Sequence, residues 1–129
     1  MKFSEIDQYC RQVIERGMRD SFKRSTRYNN CLKKARIEKP RLKKDKTLAK
    51  KPAVFYKCNQ CQDLFKRDEI QIDHINPIIP VSLKLVDLTP TQLLTRIWLG
   101  ATQVLCKPCH KIKSKFESAA RRKFRKLKK

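Results

Sequence analysis

The sequence predicts an α+β fold, and three patterns along its 129 residues indicate this. Residues 4 to about 37 carry apolar side chains mostly three and four positions apart, the spacing of one helix face. Ile70 and Ile72 instead alternate with polar neighbours, which is typical of a strand that ends near the turn at Asn76 and Pro77. Two pairs of cysteines flank that strand. We therefore expect helices first, and then a small part that mixes strands and helices.

The N-terminal part, residues 1–37, is predicted to be a helical extension. Ser4 is the candidate cap of a first helix, and Gly17 can break or bend it. A second, weaker helix is expected from Ser25 to Ile37. The apolar face of the first helix consists of Ile6, Tyr9, Val13, Ile14, Met18 and Phe22.

Residues 38–52 differ from both neighbours in composition. Their sequence, EKPRLKKDKTLAKKP, contains two prolines, is dominated by lysine and offers no apolar face. Such a composition indicates a flexible basic linker or arm. The alternative is a solvated loop that touches nothing. Residues 53–129 would then form the main domain.

Inside residues 53–129 the order of elements can be predicted. The first cysteine pair lies on a knuckle between short strands. A helix is expected from a cap at Thr89 to Gly100, with Trp98 in the core. A last helix should begin close to Cys106 and continue into the basic C-terminus.

The charge of the chain restricts its partners. Lysine and arginine number 33 against 12 acidic residues, so the formal net charge is +21. Self-repulsion on this scale favours binding to an anionic partner, most simply nucleic acid. The chain has no apolar run long enough to span a bilayer, and its N-terminus lacks the apolar core of a secretory signal. We therefore expect a cytoplasmic protein that does not enter membranes.

The paired cysteines predict a structural zinc site. Each pair has two intervening residues, a spacing that aims two thiolates at one tetrahedral ion, and disulfides are rare in the cytosol. Two unrelated reduced pairs, or a redox pair, are the alternative. Cys10 and Cys31 have no partner at metal spacing and are interpreted as ordinary thiols. The predicted zinc ligands are Cys58, Cys61, Cys106 and Cys109.

Both histidines of the chain lie near this framework. His74 follows Asp73 on the predicted strand, and His110 follows Cys109 directly. Consecutive helical residues point about 100° apart, so His110 should face away from the zinc and toward the strand that carries His74. The two histidines and one carboxylate could then converge on a second, open metal site.

Three segments, YKCNQCQ, IQIDHINPI and TQVLCKPCHKIKSK, together resemble the zinc-stabilised HNH endonucleases, especially small phage-encoded ones. The resemblance covers about residues 53–116. It implies a ββα-metal, treble-clef-like fold and cleavage of DNA phosphodiesters with Mg²⁺ or Mn²⁺. By position, His74 would be the general base that activates water, and Asp73 and His110 would hold the catalytic ion.

One position departs from the family pattern. The central asparagine of the family usually stands five residues before the third cysteine, where this chain has Ala101. Alanine cannot orient the base by hydrogen bonding, and Asn76 or Gln103 are the candidate substitutes. The competing hypothesis is therefore a non-catalytic, zinc-stabilised nucleic-acid-binding protein. A ribosome-associated basic zinc protein is a third, which leaves the Asp-His dipeptide unexplained.

The basic C-terminal segment is predicted to bind DNA. Its lysines and arginines can neutralise phosphates, which fix position without reading sequence, so we expect weak sequence preference. The similarity to phage proteins suggests a terminase or another packaging protein as a partner of residues 1–37, whereas dimerisation or coverage of the core are alternatives. The candidate phosphate-binding residues are Lys111, Lys113, Lys115, Arg121 and Arg122.

Overall fold

The protein has an α+β architecture in the computed structural model, which describes residues 1–127. Short 3₁₀ turns at Phe3–Glu5, Arg67–Glu69 and Leu85–Asp87 connect the longer elements. The helices are α1 (Gln8–Phe22), α2 (Thr26–Ala35), α3 (Pro90–Leu99) and α4 (Lys107–Leu127). The strands are β1 (Arg36–Lys39), β2 (Ala53–Lys57), β3 (Leu64–Phe65), β4 (Ile70–His74) and β5 (Thr102–Cys106).

The strands form two small antiparallel sheets. One has the order β1-β2-β3, and the other pairs β4 with β5. In the second sheet Asp73 lies opposite Gln103, and His74 lies opposite Thr102. The predicted strand at Ile70 is therefore confirmed, and it places the Asp-His dipeptide beside the strand that leads into Cys106.

The N-terminal helices differ in detail from the prediction. Ser4 is not the cap of the first helix, because it lies in the 3₁₀ turn and the Asp7 side chain accepts from the backbone N–H of Tyr9 instead. Gly17 does not break α1, which continues to Phe22. The second helix, expected from Ser25 to Ile37, begins at Thr26 after its cap Ser25 and ends at Ala35 because the chain enters β1.

Residues 36–57, which we call the hairpin arm, were expected to be a linker in their central part. They instead form a β-hairpin in which β1 pairs with β2, and a further bridge joins Leu42 to Leu48 near the tip. The turn is closed by Lys46 in the left-handed region, with φ of 65°, and by Thr47, which donates to Asp45. The division of the chain into extension, linker and domain remains a prediction.

Two separate groups of buried side chains hold the molecule together. The helical cluster joins the N-terminal residues to α3 and consists of Phe3, Phe22, Leu88, Leu93 and Ile97. The cysteine cluster consists of Cys58, Leu105 and Cys106, with Phe65 and Cys109 packed against it.

The predicted helix at Thr89 is confirmed by α3. The Thr89 hydroxyl accepts from the backbone N–H of Gln92, whose side chain accepts from Thr89 N–H in return, and Gly100 follows the last turn. Trp98 packs against the helical cluster and meets the Phe22 ring edge-on, with centroids 5.8 Å apart.

The last helix, α4, begins at the residue after Cys106, close to where the sequence placed it. Its predicted final residues, Lys128 and Lys129, lie outside the described part of the chain. Among the helices of residues 1–127, none combines the length and the apolar character needed to cross a membrane.

Candidate metal centre and adjoining cleft

The fold brings the four paired cysteines together. The turn between β2 and β3 carries one pair, and the junction of β5 with α4 carries the other. All four Sγ atoms lie within 4.8 Å of one another, and those of Cys61 and Cys106 are 3.9 Å apart. Sulfurs at the corners of a tetrahedral zinc site, with Zn–S near 2.3 Å, are about 3.8 Å apart. The cluster can therefore hold a metal ion such as zinc.

Backbone hydrogen bonds shape the knuckle that carries the first pair. Cys58 N–H donates to the Asp63 carbonyl, and Gln62 N–H donates to the Cys58 carbonyl, both at 3.0 Å. Gln62 completes the turn with φ of 65°. Asn59 N–H donates to the Val104 carbonyl at 2.8 Å, which fixes the knuckle against β5. The first sulfur pair is thereby fixed beside the second.

The thiols influence one another's ionisation. Burial raises the pKa of Cys58, but backbone N–H groups, that of Cys106 first, outweigh it and lower the pKa to about 6. The pKa of Cys109 is raised to about 12, chiefly by its hydrogen bond with the Cys106 sulfur and then by burial. Four thiolates this close repel one another, so a bound cation is what would allow all of them to ionise.

No second group of three or more close metal-binding side chains occurs in residues 1–127. Cys10 and Cys31 lie outside the cysteine cluster, and all six cysteines, each in the described range, are free thiols.

A cleft of about 260 Å³ lies beside the cysteine cluster, and Asp73, His74 and His110 all line it. The Nε2 atom of His110 is 3.6 Å from Oδ1 of Asp73, and only 12% of the Asp73 side chain is exposed. His110 therefore faces the strand that carries His74, as the helical spacing suggested. Among the cleft residues, Arg19 comes from α1, which sequence reasoning had placed outside the site.

The two oxygens of the Asp73 carboxylate have different surroundings. Oδ2 accepts from Nε2 of Gln103 at 3.0 Å and lies 3.1 Å from the ammonium of Lys113. Oδ1 faces His110. The other end of the Gln103 amide accepts from Nδ2 of Asn59 at 2.8 Å, so Gln103 connects the cysteine knuckle to Asp73. The carboxylate is thus held with one oxygen directed toward His110.

His74 is fixed by contacts on several sides. Its Nε2 lies 2.7 Å from the carbonyl oxygen of Ile97, and because a carbonyl only accepts, Nε2 carries the proton. In the neutral ring Nδ1 is then the nitrogen with a free lone pair. The Phe22 ring packs 5.1 Å away. A Cβ at Gly100 would lie 3.2 Å from the imidazole and 2.5 Å from the Arg96 carbonyl, so only glycine fits there.

Lys113 is part of the site's framework. It contacts Asp73, Glu117 and the carbonyl oxygen of His74, which engages the three protons of its ammonium. Burial lowers the pKa of Lys113, but the hydrogen bonds to Glu117 and Asp73 outweigh it and the pKa is raised.

The predicted phosphate-binding residues therefore divide into two groups. Lys113 is engaged as described, and Arg121 donates to the carbonyls of Ile79 and Pro80. The contacts of Lys113 hold α4 against β4, and those of Arg121 hold it against the segment that follows β4. Phosphate binding by these two residues stays a prediction. The exposed members of the predicted set are Lys111, Lys115 and Arg122.

Ala101 lies in the short connection between α3 and β5. The Ala101 carbonyl accepts from Ile75 N–H at 2.9 Å, and the residue is exposed. Of the two candidate substitutes, Gln103 reaches the site, where it bonds Asp73 and not His74. Asn76 is exposed.

Several of these partners were missed at the sequence level. These partners are Asn59, Gly100, Phe22 and the ion pair of Lys113. None of them belongs to a recognisable sequence motif, and only tertiary contacts bring them to the cleft. The available signal was the adjacency of Asn59 to Cys58 and of Gly100 to the position of Ala101.

No protein-family model, no curated protein and no solved structure matches the chain.

Proposed function

We propose that the protein is a metal-dependent DNA endonuclease of the HNH type, with a ββα-metal, treble-clef-like unit around a structural zinc. The observation that carries this proposal is that Asp73, His74 and His110 line one cleft beside the four cysteines. The resemblance of the three sequence segments supports the same function. A role in phage DNA processing or packaging remains an expectation from that resemblance.

In the proposed reaction His74 is the general base. Its Nδ1 accepts a proton from the attacking water, while Nε2 continues to donate to the Ile97 carbonyl. That carbonyl stabilises the positive charge which develops on the ring. A histidine suits this role because its ordinary pKa lies near neutral pH.

Asp73 and His110 would hold the catalytic Mg²⁺ or Mn²⁺. Oδ1 of Asp73 and Nε2 of His110 are close enough to share an ion, and such ions commonly keep several waters beside one or two protein ligands. The cleft is lined by two carboxylates and three basic side chains, so a metal ion there would depend on direct ligation by Asp73 and His110 and not on the net charge. When bound, the ion supplies polarisation of the phosphate and stabilisation of the leaving oxygen.

The remaining residues of this site would act as positioning residues. Gln103 and Lys113 bind Oδ2 of Asp73 and leave Oδ1 for the ion. Exposed Lys111, Lys115 and Arg122 would contact phosphates, which gives salt-dependent binding with weak sequence preference.

A second candidate function is a non-catalytic, zinc-stabilised nucleic-acid-binding protein. Ala101 favours it, because a methyl group cannot form the hydrogen bonds of the family's asparagine. In that case His74 and His110 would be structural.

Conversion of supercoiled plasmid to nicked or linear DNA tests the proposal. The zinc-loaded protein should cut with Mg²⁺ or Mn²⁺ and not without them. His74→Ala should cut about 10²–10⁴-fold more slowly, because proton transfer is lost. Gln71→Ala, at an exposed position of the same strand, is the matched control and should cut like the parent.

An Ala101→Asn variant separates the two candidates. If the parent is inert and this variant cuts, the proposed site is intact apart from its orienting residue. Cutting by the parent that survives in His74→Ala would disprove the assigned base. If neither protein cuts while both bind DNA, the non-catalytic function is correct.

A further inference from the structure

The hairpin arm is the most basic exposed part of the described structure away from α4. Within residues 36–57 there are nine lysines and arginines and only two acidic residues. Every residue from 40 to 48 is exposed. β2 ends directly before Cys58, so the arm projects from the strand that leads into the cysteine knuckle.

The two carboxylates of the arm both bind partners within the arm itself. Glu38 pairs with Arg36 at 2.8 Å. Asp45 accepts from the hydroxyl of Thr47 at 2.6 Å and from its N–H at 3.1 Å, and the hydroxyl is the main reason that the pKa of Asp45 is lowered. No other cation of the arm forms an ion pair within residues 1–127. The arm therefore presents uncompensated positive charge.

Two apolar side chains lie near the tip of the hairpin arm. Leu42 and Leu48 face each other across the distal bridge, with 64% and 67% of their surface exposed. Cross-strand partners lie on the same face of a hairpin, so the two leucines form one apolar tip. The tip therefore gives the charged arm a small apolar contact surface.

We infer that the hairpin arm inserts into the major groove of duplex DNA. Its lysines contact the flanking phosphates, and the Leu42–Leu48 tip contacts thymine methyl groups on the groove floor. The major groove of B-DNA is about 12 Å wide and admits a two-stranded β-ribbon, whereas that of A-form RNA is too deep and narrow. The inference rests on the proposed function for the identity of the ligand, but concerns a surface outside the cleft.

Fluorescence anisotropy with a labelled 20-bp duplex tests the charge of the arm. The zinc-loaded protein is used without Mg²⁺ or Mn²⁺, so that binding is measured without cleavage. The arm variant is Lys43→Gln, Lys44→Gln and Lys50→Gln, all at exposed positions. The matched control, Lys2→Gln, Lys66→Gln and Lys84→Gln, removes equal charge from exposed sites elsewhere.

The arm variant should bind about tenfold or more weakly, and its salt slope should fall by about 0.9 for each phosphate that the arm no longer neutralises. The control should change both quantities much less. Zinc content and circular dichroism verify that both variants are folded. Equal behaviour of the two variants would overturn the inference, as would equal or tighter arm-dependent binding of duplex RNA.

A comparison of thymine-containing and uracil-containing duplexes tests whether the arm inserts into the major groove. Uracil lacks the methyl group that thymine presents in the major groove. The parent should therefore bind a thymine-rich duplex a few fold more tightly than its uracil counterpart. Leu42→Ala with Leu48→Ala should lose this preference and keep the salt slope. A parent that binds both duplexes equally would refute groove insertion.

These results are independent of the plasmid assay. DNA binding through the arm without cleavage by either the parent or Ala101→Asn would refute the proposed nuclease and leave the arm assigned. Cleavage by a protein whose arm variant behaves like the control would refute the arm alone.

Discussion

The helical cluster and the cysteine cluster are stabilised in different ways. Five fully apolar side chains are buried in the helical cluster, and further apolar residues pack around them. In the cysteine cluster Leu105 is the one buried residue that is not a cysteine. The helical cluster can therefore be stable through hydrophobic burial, whereas the four close sulfurs of the cysteine cluster could be held together by a metal ion such as zinc.

The candidate cleft lies where the two clusters meet. His74 packs against Phe22 of the helical cluster and hydrogen-bonds the backbone of Ile97 in α3. Asp73 is linked to the cysteine knuckle through Gln103 and Asn59. Proper geometry in the cleft thus requires both clusters, and each can be disrupted separately.

The largest effect should come from removal of a metal ligand. Structural zinc contributes about 10–16 kcal/mol in zinc-finger peptides. Cys106→Ser should therefore lose stoichiometric zinc and unfold the knuckle and its contact with β5. Metal analysis and hydrogen exchange measure the two effects.

Cys31→Ser provides the matched control, because Cys31 is a free thiol outside the cysteine cluster. It should bind one zinc with unchanged protection of the knuckle. Retention of one tightly bound zinc by Cys106→Ser would contradict the proposed metal site.

A smaller effect is expected in the helical cluster. Leu93 is completely buried, so Leu93→Ala should destabilise the protein by about 2–5 kcal/mol through reduced burial and a cavity. Urea unfolding followed by circular dichroism measures this change. Zinc content should stay the same.

Leu94 is the neighbouring control, with 43% of its surface exposed. Leu94→Ala should cost less than about 1 kcal/mol. If Leu93→Ala also released the metal, the two clusters would not be separable.

The smallest effect concerns Lys113, which lies between the clusters. Its pKa is raised above the ordinary 10.5. Its ion pairs therefore stabilise the fold fully below pH 10.5, and this contribution is lost as the pH rises through the higher folded-state pKa. Lys113→Met should cost about 1 kcal/mol at neutral pH, and the difference from the parent should vanish at alkaline pH.

Urea midpoints of the parent and Lys113→Met across this pH range provide the measurement. Lys115→Met, at an exposed position of the same helix, serves as the reference and should follow the parent throughout. A constant difference between parent and Lys113→Met would show that packing and not charge is responsible.

Much of the cysteine cluster and its neighbourhood could be predicted from the sequence. The cysteine spacing, the alternation at Ile70 and the cap at Thr89 are local patterns, and the structure matches each of them. The orientation of His110 followed from helix geometry. Local periodicity was sufficient to predict the direction of a side chain wherever that direction depends on a single helix or strand.

The remaining features depend on contacts between distant segments. The pairing of β1 with β2 was missed because charge dominates the composition of the hairpin arm, and its pairing is visible only across the turn. Phe22 was correctly placed on an apolar helix face, but its contact with His74 joins residues that are far apart in the sequence. The ion pairs of Lys113 with Asp73 and Glu117 could not be predicted either, because in the sequence Lys113 resembles the other basic residues of α4.

Trp98 is the only tryptophan in the sequence, and it packs against Phe22 in the helical cluster. Its fluorescence emission therefore reports on that cluster, while thiolate-to-cobalt charge-transfer absorption in a Co²⁺-substituted protein would report on the cysteines. A single unfolding experiment thus carries two optical signals, one for each half of the molecule. Their midpoints would coincide in a cooperative protein and separate in one that melts in two stages.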